Sequence, residues 1–383
     1  MKAFIHVQHL LGTGHIVRAA AIGRALAARG VEVTLAAGNT VPPTLNTHGL
    51  NIVELPPVRS PDAVFDKLVE PDGTPVDDEW FEKRTGTTLD AFKAQDYDIL
   101  LTETYPFGRR QFEREMRPLL EFAKTRKPKP LIASSIRDIL VRKQQLWKEE
   151  WMATQARQSY DCVLVHSDPE FVQLGDSFPF TAEVDHLLRY TGYVDAQRDD
   201  TAPSEEGEDE VLISCGGGAV GGQLLEAAMV ARSLSRRAND TLWRVLVGHD
   251  ISEAAFTELQ LKATDGCSVE RARSDFPQML KQARLSISQA GYNTVLDVLI
   301  AGVPAVFVPF AQVRETEQAQ RAAALVQRSR AVSLPEDTLT PEGLAAAVDD
   351  ALALPRAEMT VLLGGAERSA DILIAERERQ VVK

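Results

Sequence analysis

Three glycine-marked stretches, and the polar residues beside them, hold most of the chemistry this chain offers. The first is GTGHIVR, residues 12–18, set between a short apolar run and an amphipathic one. Paired glycines let backbone approach a ligand, and a helix starting there turns N–H groups and a positive dipole end toward negative charge. Gly12, Thr13 and Gly14 form this turn, and Arg18 closes the motif. His15 falls on the first helical turn, within reach of a substrate hydroxyl, and a neutral imidazole there is suited to general-base work. The plainer alternative is a helix-start histidine that only bonds its own loop. Glu103 ends the run DILLTE. It can orient His15, serve as the base itself, or pair with Arg109 or Arg110. A dinucleotide-binding reading fits poorly: Val17 replaces the third glycine, and the second strand ends Ala36, Ala37, Gly38 with no ribose-binding acid.

The second stretch, SCGGGAVGG at residues 214–222, has five glycines in nine residues, suited to a diphosphate at a helix N-terminus. The third, SQAGYNTVLDVLIAGVPAVFVPF at residues 288–310, reads as strand, small-residue turn, helix, turn and strand. Asn293 and Thr294 are good helix-start residues. Asp297 follows Asn293 by four positions, so both lie on one helical face, where a carboxylate can accept two ribose hydroxyls or simply complement the helix dipole. Glu317 and Gln318 begin a further helix just beyond a strand end, a position that suits sugar hydroxyls.

These residues need elements to hold them. Short β-rich runs alternate with amphipathic ones at residues 3–8, 31–37, 52–55, 99–103, 131–134 and 162–166, the spacing of a parallel α/β domain. Residues 195–210 carry eight acids and one arginine, the composition of an exposed linker. The pattern then restarts, with strands at 211–214, 243–247, 268–271, 285–288 and 305–310. We therefore expect an N-terminal Rossmann-like domain (1–195), an acidic linker (196–210), a second Rossmann-like domain (211–365), and a charged helical tail (366–383) that can return to the first domain. Two mostly parallel sheets facing one central cleft would bring both sets of strand C-termini to a ligand.

Residues 290–321 resemble the donor-binding signature of GT-B glycosyltransferases, above all the MurG-like family with its family 28 type C-terminal domain. The matching positions are Ala290 and Gly291, Asn293 and Thr294, Asp297, Gly302 and Pro304, Val308 and Phe310, then Glu317 and Gln318. The resemblance implies that Asp297 binds the ribose, where the family usually has Glu. It also implies that Gly216, Gly217, Gly218 and Gly291 to Thr294 lie along the diphosphate, and that Glu317 and Gln318 contact the donor sugar. ERARSDF at residues 270–276, with Arg273, resembles the stretch that reads the nucleobase. GTGHIVR is similar to the GxGHxxR loop of the same transferases and of a related UDP-sugar hydrolase of nonulosonate synthesis. TETYPFGRR, residues 102–110, is closest to uncharacterised bacterial predicted glycosyltransferases. The activity implied is inverting transfer from a UDP-sugar to an acceptor hydroxyl, with His15 as base. The alternatives are UDP-sugar hydrolysis and a non-catalytic nucleotide-sugar-binding protein.

Composition narrows the partners. A formal charge of -13 argues against nucleic acid, which needs a basic surface. Cys162, Cys215 and Cys267 are too scattered for a disulfide framework or a zinc site, as expected in a reducing cytoplasm. No cofactor or metal is expected: Asp96 and Asp98 form a D-x-D, but they precede a strand instead of following it. The apolar window 295–311 is broken by Asp297, Pro304 and Pro309. Residues 109–148 hold twelve Lys or Arg against four acids, a basic zone suited to an anionic or lipid-linked acceptor and to peripheral contact with the inner face of a membrane.

Overall fold

The computed structural model describes residues 1–10, 13–61, 67–194, 204, 206–215, 222–249, 251–310, 316–354 and 361–382. Gly12, Gly216, Gly217, Gly218 and most of the acidic linker lie outside the described residues. The chain divides into two compact units, Met1–Gln197 with Leu362–Lys383, and Arg198–Val361.

In unit 1 the chain runs β1 (Lys2–Val7), α1 (Gly14–Ala27), β2 (Glu32–Ala37), β3 (Leu50–Glu54), α2 (Asp78–Lys93), β4 (Ile99–Glu103), α3 (Glu113–Thr125), β5 (Leu131–Arg137), α4 (Leu146–Ser159), β6 (Cys162–His166), α5 (Thr181–Val184) and β7 (Leu188–Tyr190). The strands form one sheet in the order β3-β2-β1-β4-β5-β6-β7, with every neighbouring pair parallel. Helices cover both faces of such a sheet, so its central strands read as apolar runs rather than alternating ones. CVLVH of β6 is buried throughout, including its terminal histidine. Gly30, at φ +80°, takes the left-handed turn after α1 that a side chain would resist. The order reverses between β1 and β4, so the loops after these two strands flank the crevice where open α/β sheets bind ligands. One leads into α1 at Gly14 and the other follows Glu103.

Unit 2 repeats the plan with β8 (Val211–Ser214), α6 (Gly222–Leu234), β9 (Trp243–Val247), α7 (Glu253–Leu261), β10 (Cys267–Arg271), α8 (Phe276–Gln282), β11 (Leu285–Ser288), α9 (Tyr292–Ala301), β12 (Ala305–Phe307), α10 (Glu317–Gln327), β13 (Val332–Ser333) and α11 (Pro341–Ala351). Its parallel order is β10-β9-β8-β11-β12-β13, with the reversal between β8 and β11. Both units are doubly wound, as expected. The expected strand 305–310 is shorter as β12; Pro309 has no N–H to extend a ladder. The edge strands β7 and β13, of three and two residues, were not expected.

The tail forms α12 (Gly365–Val382) and packs in unit 1, where Ala366, Ala370 and Leu373 join a core with Ala19, Ile22 and Leu26 of α1. Arg377 bonds Asp98 at 3.1 Å and the Lys129 carbonyl at 2.9 Å. Asp98 also accepts the Lys2 N–H at 2.9 Å, and Asp96 pairs with Arg126. Both aspartates thus sit at the N-terminal end of β4, opposite Glu103.

Candidate functional site

Unit 1 brings His15 and Glu103 together. His15 Nδ1 lies 3.0 Å from Glu103 Oε1, and Arg18, one helical turn along α1, pairs with the same oxygen. The His15 side chain keeps 14% of its exposure, against 5% for Arg18 and 1% for Glu103. A dry carboxylate is therefore shared between a cation and an imidazole that still meets solvent. Burial alone would raise Glu103, but Arg18 and His15 reverse this and hold the carboxyl well below its usual range. Burial lowers His15 to about 3 despite its bond to Glu103, and Arg109 and Arg18 add to the lowering. At neutral pH this is a carboxylate beside a neutral imidazole. Nδ1 faces the Glu103 acceptor at 3.0 Å and the Arg18 donor at 3.2 Å; the nearer, anionic Glu103 can only accept, which assigns the His15 proton to Nδ1 and leaves Nε2 as the basic nitrogen.

Thr104 follows Glu103 at φ +71°, a costly conformation for a β-branched residue. It brings Oγ1 to 3.2 Å from His15 Nδ1 and 3.3 Å from Glu103 Oε1. Gly108 accommodates it, since a Cβ there would fall 2.6 Å from the Thr104 methyl. Arg109 donates to the Gln8 carbonyl at 3.1 Å, whereas Arg110 lies over the rings of Trp147 (4.5 Å) and Trp151 (5.7 Å). Of the two arginines, Arg109 is the one whose charge acts on His15.

Behind Glu103 lies a polar chain that the sequence reading missed. Ser135 donates to Glu103 Oε2 at 2.5 Å, His166 Nε2 is 2.8 Å from Ser135 Oγ, and His166 Nδ1 is 2.8 Å from Thr191 Oγ1. Ser135, His166 and Thr191 are all buried. For Ser135 and His166 the one visible signal was polarity at the ends of apolar strands, in IASSI and CVLVH; Thr191 gave none.

In unit 2, α9 follows β11 after three residues, with Gly291 as its N-cap and no side chain capping it. Asn293 is exposed and Thr294 and Asp297 are half-buried, forming the polar edge of a helix whose other face, Val295, Leu296, Val298 and Leu299, is core. Two bonds from α10 hold the neighbouring loops: fully buried Arg321 donates to the Ala290 carbonyl at 2.7 Å, and Gln318 accepts the Phe310 N–H at 3.1 Å. Glu317, on the same turn, is buried. Arg321 was not foreseen as a loop anchor. Arg273 is engaged by carboxylates, bonding Asp275 at 2.8 Å and Glu206 at 2.5 Å. Among the described residues no group of three or more His, Cys, Asp or Glu is placed to hold a metal ion, and no helix is long and apolar enough to cross a membrane.

Residues 217–363 match the glycosyltransferase family 28 C-terminal domain. A curated relative from Methylorubrum extorquens (strain PA1), UDP-N-acetylglucosamine--N-acetylmuramyl-(pentapeptide) pyrophosphoryl-undecaprenol N-acetylglucosamine transferase, is 34% identical over 110 residues, covering 27% of this chain and 30% of the relative. Matches to such relatives span 30% to 49% of their lengths. Among solved structures, Acinetobacter baumannii MurG superposes with a TM-score of 0.59 at 16% identity, covering 99% of this chain and 95% of that one. Arabidopsis thaliana UGT89C1 complexed with UDP gives 0.62 at 14% identity, covering 99% and 94%. Such distant likeness speaks for the fold. The chain thus has the GT-B fold seen in these solved glycosyltransferases, and its residues 217–363 match the glycosyltransferase family 28 C-terminal domain.

Proposed function

We propose that this protein is an inverting, metal-independent glycosyltransferase that moves a sugar from a UDP-sugar to an acceptor hydroxyl. The observation that carries the reading is the family 28 match over residues 217–363, within which α9 sets Asn293, Thr294 and Asp297 along one polar edge beyond β11. In this reading Asp297 accepts the ribose hydroxyls, and Gly216, Gly217, Gly218 and the first turn of α9 carry the diphosphate. Glu317 and Gln318 meet the donor sugar, with Arg273 near the base. Helix N-termini and backbone N–H groups favour the negative charge that develops on the departing diphosphate.

In unit 1, His15 Nε2 removes the acceptor's hydroxyl proton as that oxygen bonds to the anomeric carbon. The bond to UDP breaks with its electron pair on the diphosphate, and Glu103 stabilises the imidazolium. For the acceptor we favour an anionic or lipid-linked compound. The relative's name specifies a pyrophosphoryl-undecaprenol acceptor, and here Leu146 and Trp147 are 58% and 48% exposed beside Arg110. That surface suits a cytoplasmic protein working peripherally at the inner face of a membrane.

The test is calorimetry over UDP and a panel of UDP-sugars, followed by UDP release with and without candidate acceptors. We expect UDP to bind and its release from the UDP-sugar to depend on acceptor. Stoichiometric free sugar without acceptor would make the protein a hydrolase, binding without release a nucleotide-sugar-binding protein, and no binding would refute the reading.

A further inference from the structure

The buried groups behind Glu103 form an ordered row. Glu103 is the last residue of β4, Ser135 lies opposite it on β5, His166 ends β6, and Thr191 directly follows β7. Three strand residues, and one just beyond the neighbouring strand, therefore lie along the C-terminal edge of the sheet. An anionic Glu103 can only accept, so the single Ser135 hydroxyl proton points at Oε2, 2.5 Å away. Ser135 Oγ can then only accept from His166, which places the imidazole proton on Nε2. The bare Nδ1 then accepts the Thr191 hydroxyl proton at 2.8 Å, for which the Gly192 carbonyl, also at 2.8 Å, competes. The opposite tautomer would turn the Ser135 proton away from the carboxylate and leave two acceptors facing each other at 2.5 Å. A doubly protonated His166 is disfavoured by burial and by Arg18, which outweigh Glu103. The far end is fixed as well: Arg368 of α12 donates to the Thr191 carbonyl at 2.5 Å, and a Cβ on Gly365 would fall 2.5 Å from the Gly192 carbonyl.

We propose that Ser135, His166 and Thr191 are positioning residues, a hydrogen-bond relay with all its protons directed toward Glu103 that locks the carboxylate with Oε1 presented to His15. Hydrogen bonds chained in one direction strengthen one another, and a carboxylate held at both oxygens cannot turn about its terminal torsion. This rests on His15 acting as the base. It assigns work to three residues that need touch neither donor nor acceptor.

Two measurements test it. In wild-type protein with 15N-labelled histidine, His166 should show a protonated Nε2 and a bare Nδ1 at pH 7; a protonated Nδ1 or an imidazolium overturns the relay without any variant. For turnover, UDP release is followed with the UDP-sugar that binds best in the calorimetric panel. Ser135→Ala and His166→Leu should each lower kcat about ten-fold at unchanged donor KM, as loss of a transition-state contact does. Both should raise the acid-limb pKa of kcat/KM, because a carboxylate that has lost a donor pulls harder on the His15 proton. The groups facing His15 in that titration are Glu103 from β4, Arg18 from α1, and Thr104 and Arg109 from the following loop. The double variant should fall no further than either single one, and His166→Gln, which keeps a donor toward Ser135, should recover most of the loss. Multiplying losses, or unmoved rates and acid limb while His15→Ala is inactive, would overturn the relay alone. Full turnover by His15→Ala would instead remove the base assignment.

Discussion

Glu103→Gln removes one charge, almost without changing shape, from a site where Arg18 and His15 both depend on it. The side chains of Glu103 and Arg18 are 1% and 5% exposed, so solvent cannot replace the Glu103 charge that Arg18 loses. Breaking such a pair from one side costs about 3–5 kcal/mol. For a unit of this size 1 kcal/mol corresponds to roughly 2–4 °C, so the melting temperature of unit 1 should fall by about 6–20 °C. Turnover should fall by about two to four orders of magnitude, because the imidazolium loses its counter-charge and His15 its tautomeric guide. Calorimetric melts and UDP release on one preparation read both effects. Adding Arg18→Met should restore much of the stability and none of the turnover. A Glu103→Gln protein that melts like wild type, or turns over like it, would refute the account of this site.

Asp297→Ala should weaken UDP and UDP-sugar binding together by about 1.5–3 kcal/mol, the range for hydrogen bonds to a charged group; unchanged UDP affinity by calorimetry would remove Asp297 from the donor site. Turnover should persist in EDTA, since Asp96 and Asp98 are tied to Arg126, Lys2 and Arg377 at the far end of β4, and loss restored specifically by Mg or Mn would refute this. His15 and His166 titrate near 3 when folded, from an ordinary 6.5, so between these values the unfolded chain binds more protons and stability falls as the pH drops. Urea melts should show unit 1 losing up to about 1.4 kcal/mol per pH unit for each of the two below pH 6, whereas unit 2, with His249 as its one histidine, responds less; a flat unit 1 stability from pH 7.5 to 5 would contradict the burial argument.

What could be read from sequence was what local pattern encodes. The central strands are apolar because helices cover both faces of each sheet, and their C-terminal ends follow from the glycine turns beyond them. Glu103 was therefore visible at a strand end and His15 on the helical turn that follows a glycine loop. That Glu103 chooses His15 and Arg18 over Arg110 was not legible, because it depends on β1 lying beside β4, a crossover decided by the whole sheet. The relay was hidden for the same reason: 31 residues separate Ser135 from His166 and 25 separate His166 from Thr191. Arg321 read as one more charge on an amphipathic helix, and only packing shows it bonded to the Ala290 carbonyl. β7 and β13 are too short to carry a periodicity. In α12 the charged ERERQ run masked the Ala366, Ala370 and Leu373 face that docks on α1.

The most direct test of the central claim is His15→Ala, with melting temperature, UDP affinity and turnover measured on one preparation. The account predicts nearly intact melting temperature and UDP affinity, with turnover lower by about two to four orders of magnitude, the usual contribution of a positioned general base. UDP affinity falling in step with turnover would make His15 a diphosphate ligand. A lower melting temperature with surviving activity would make it a structural helix start, and preserved turnover in a stable protein would end the general-base mechanism.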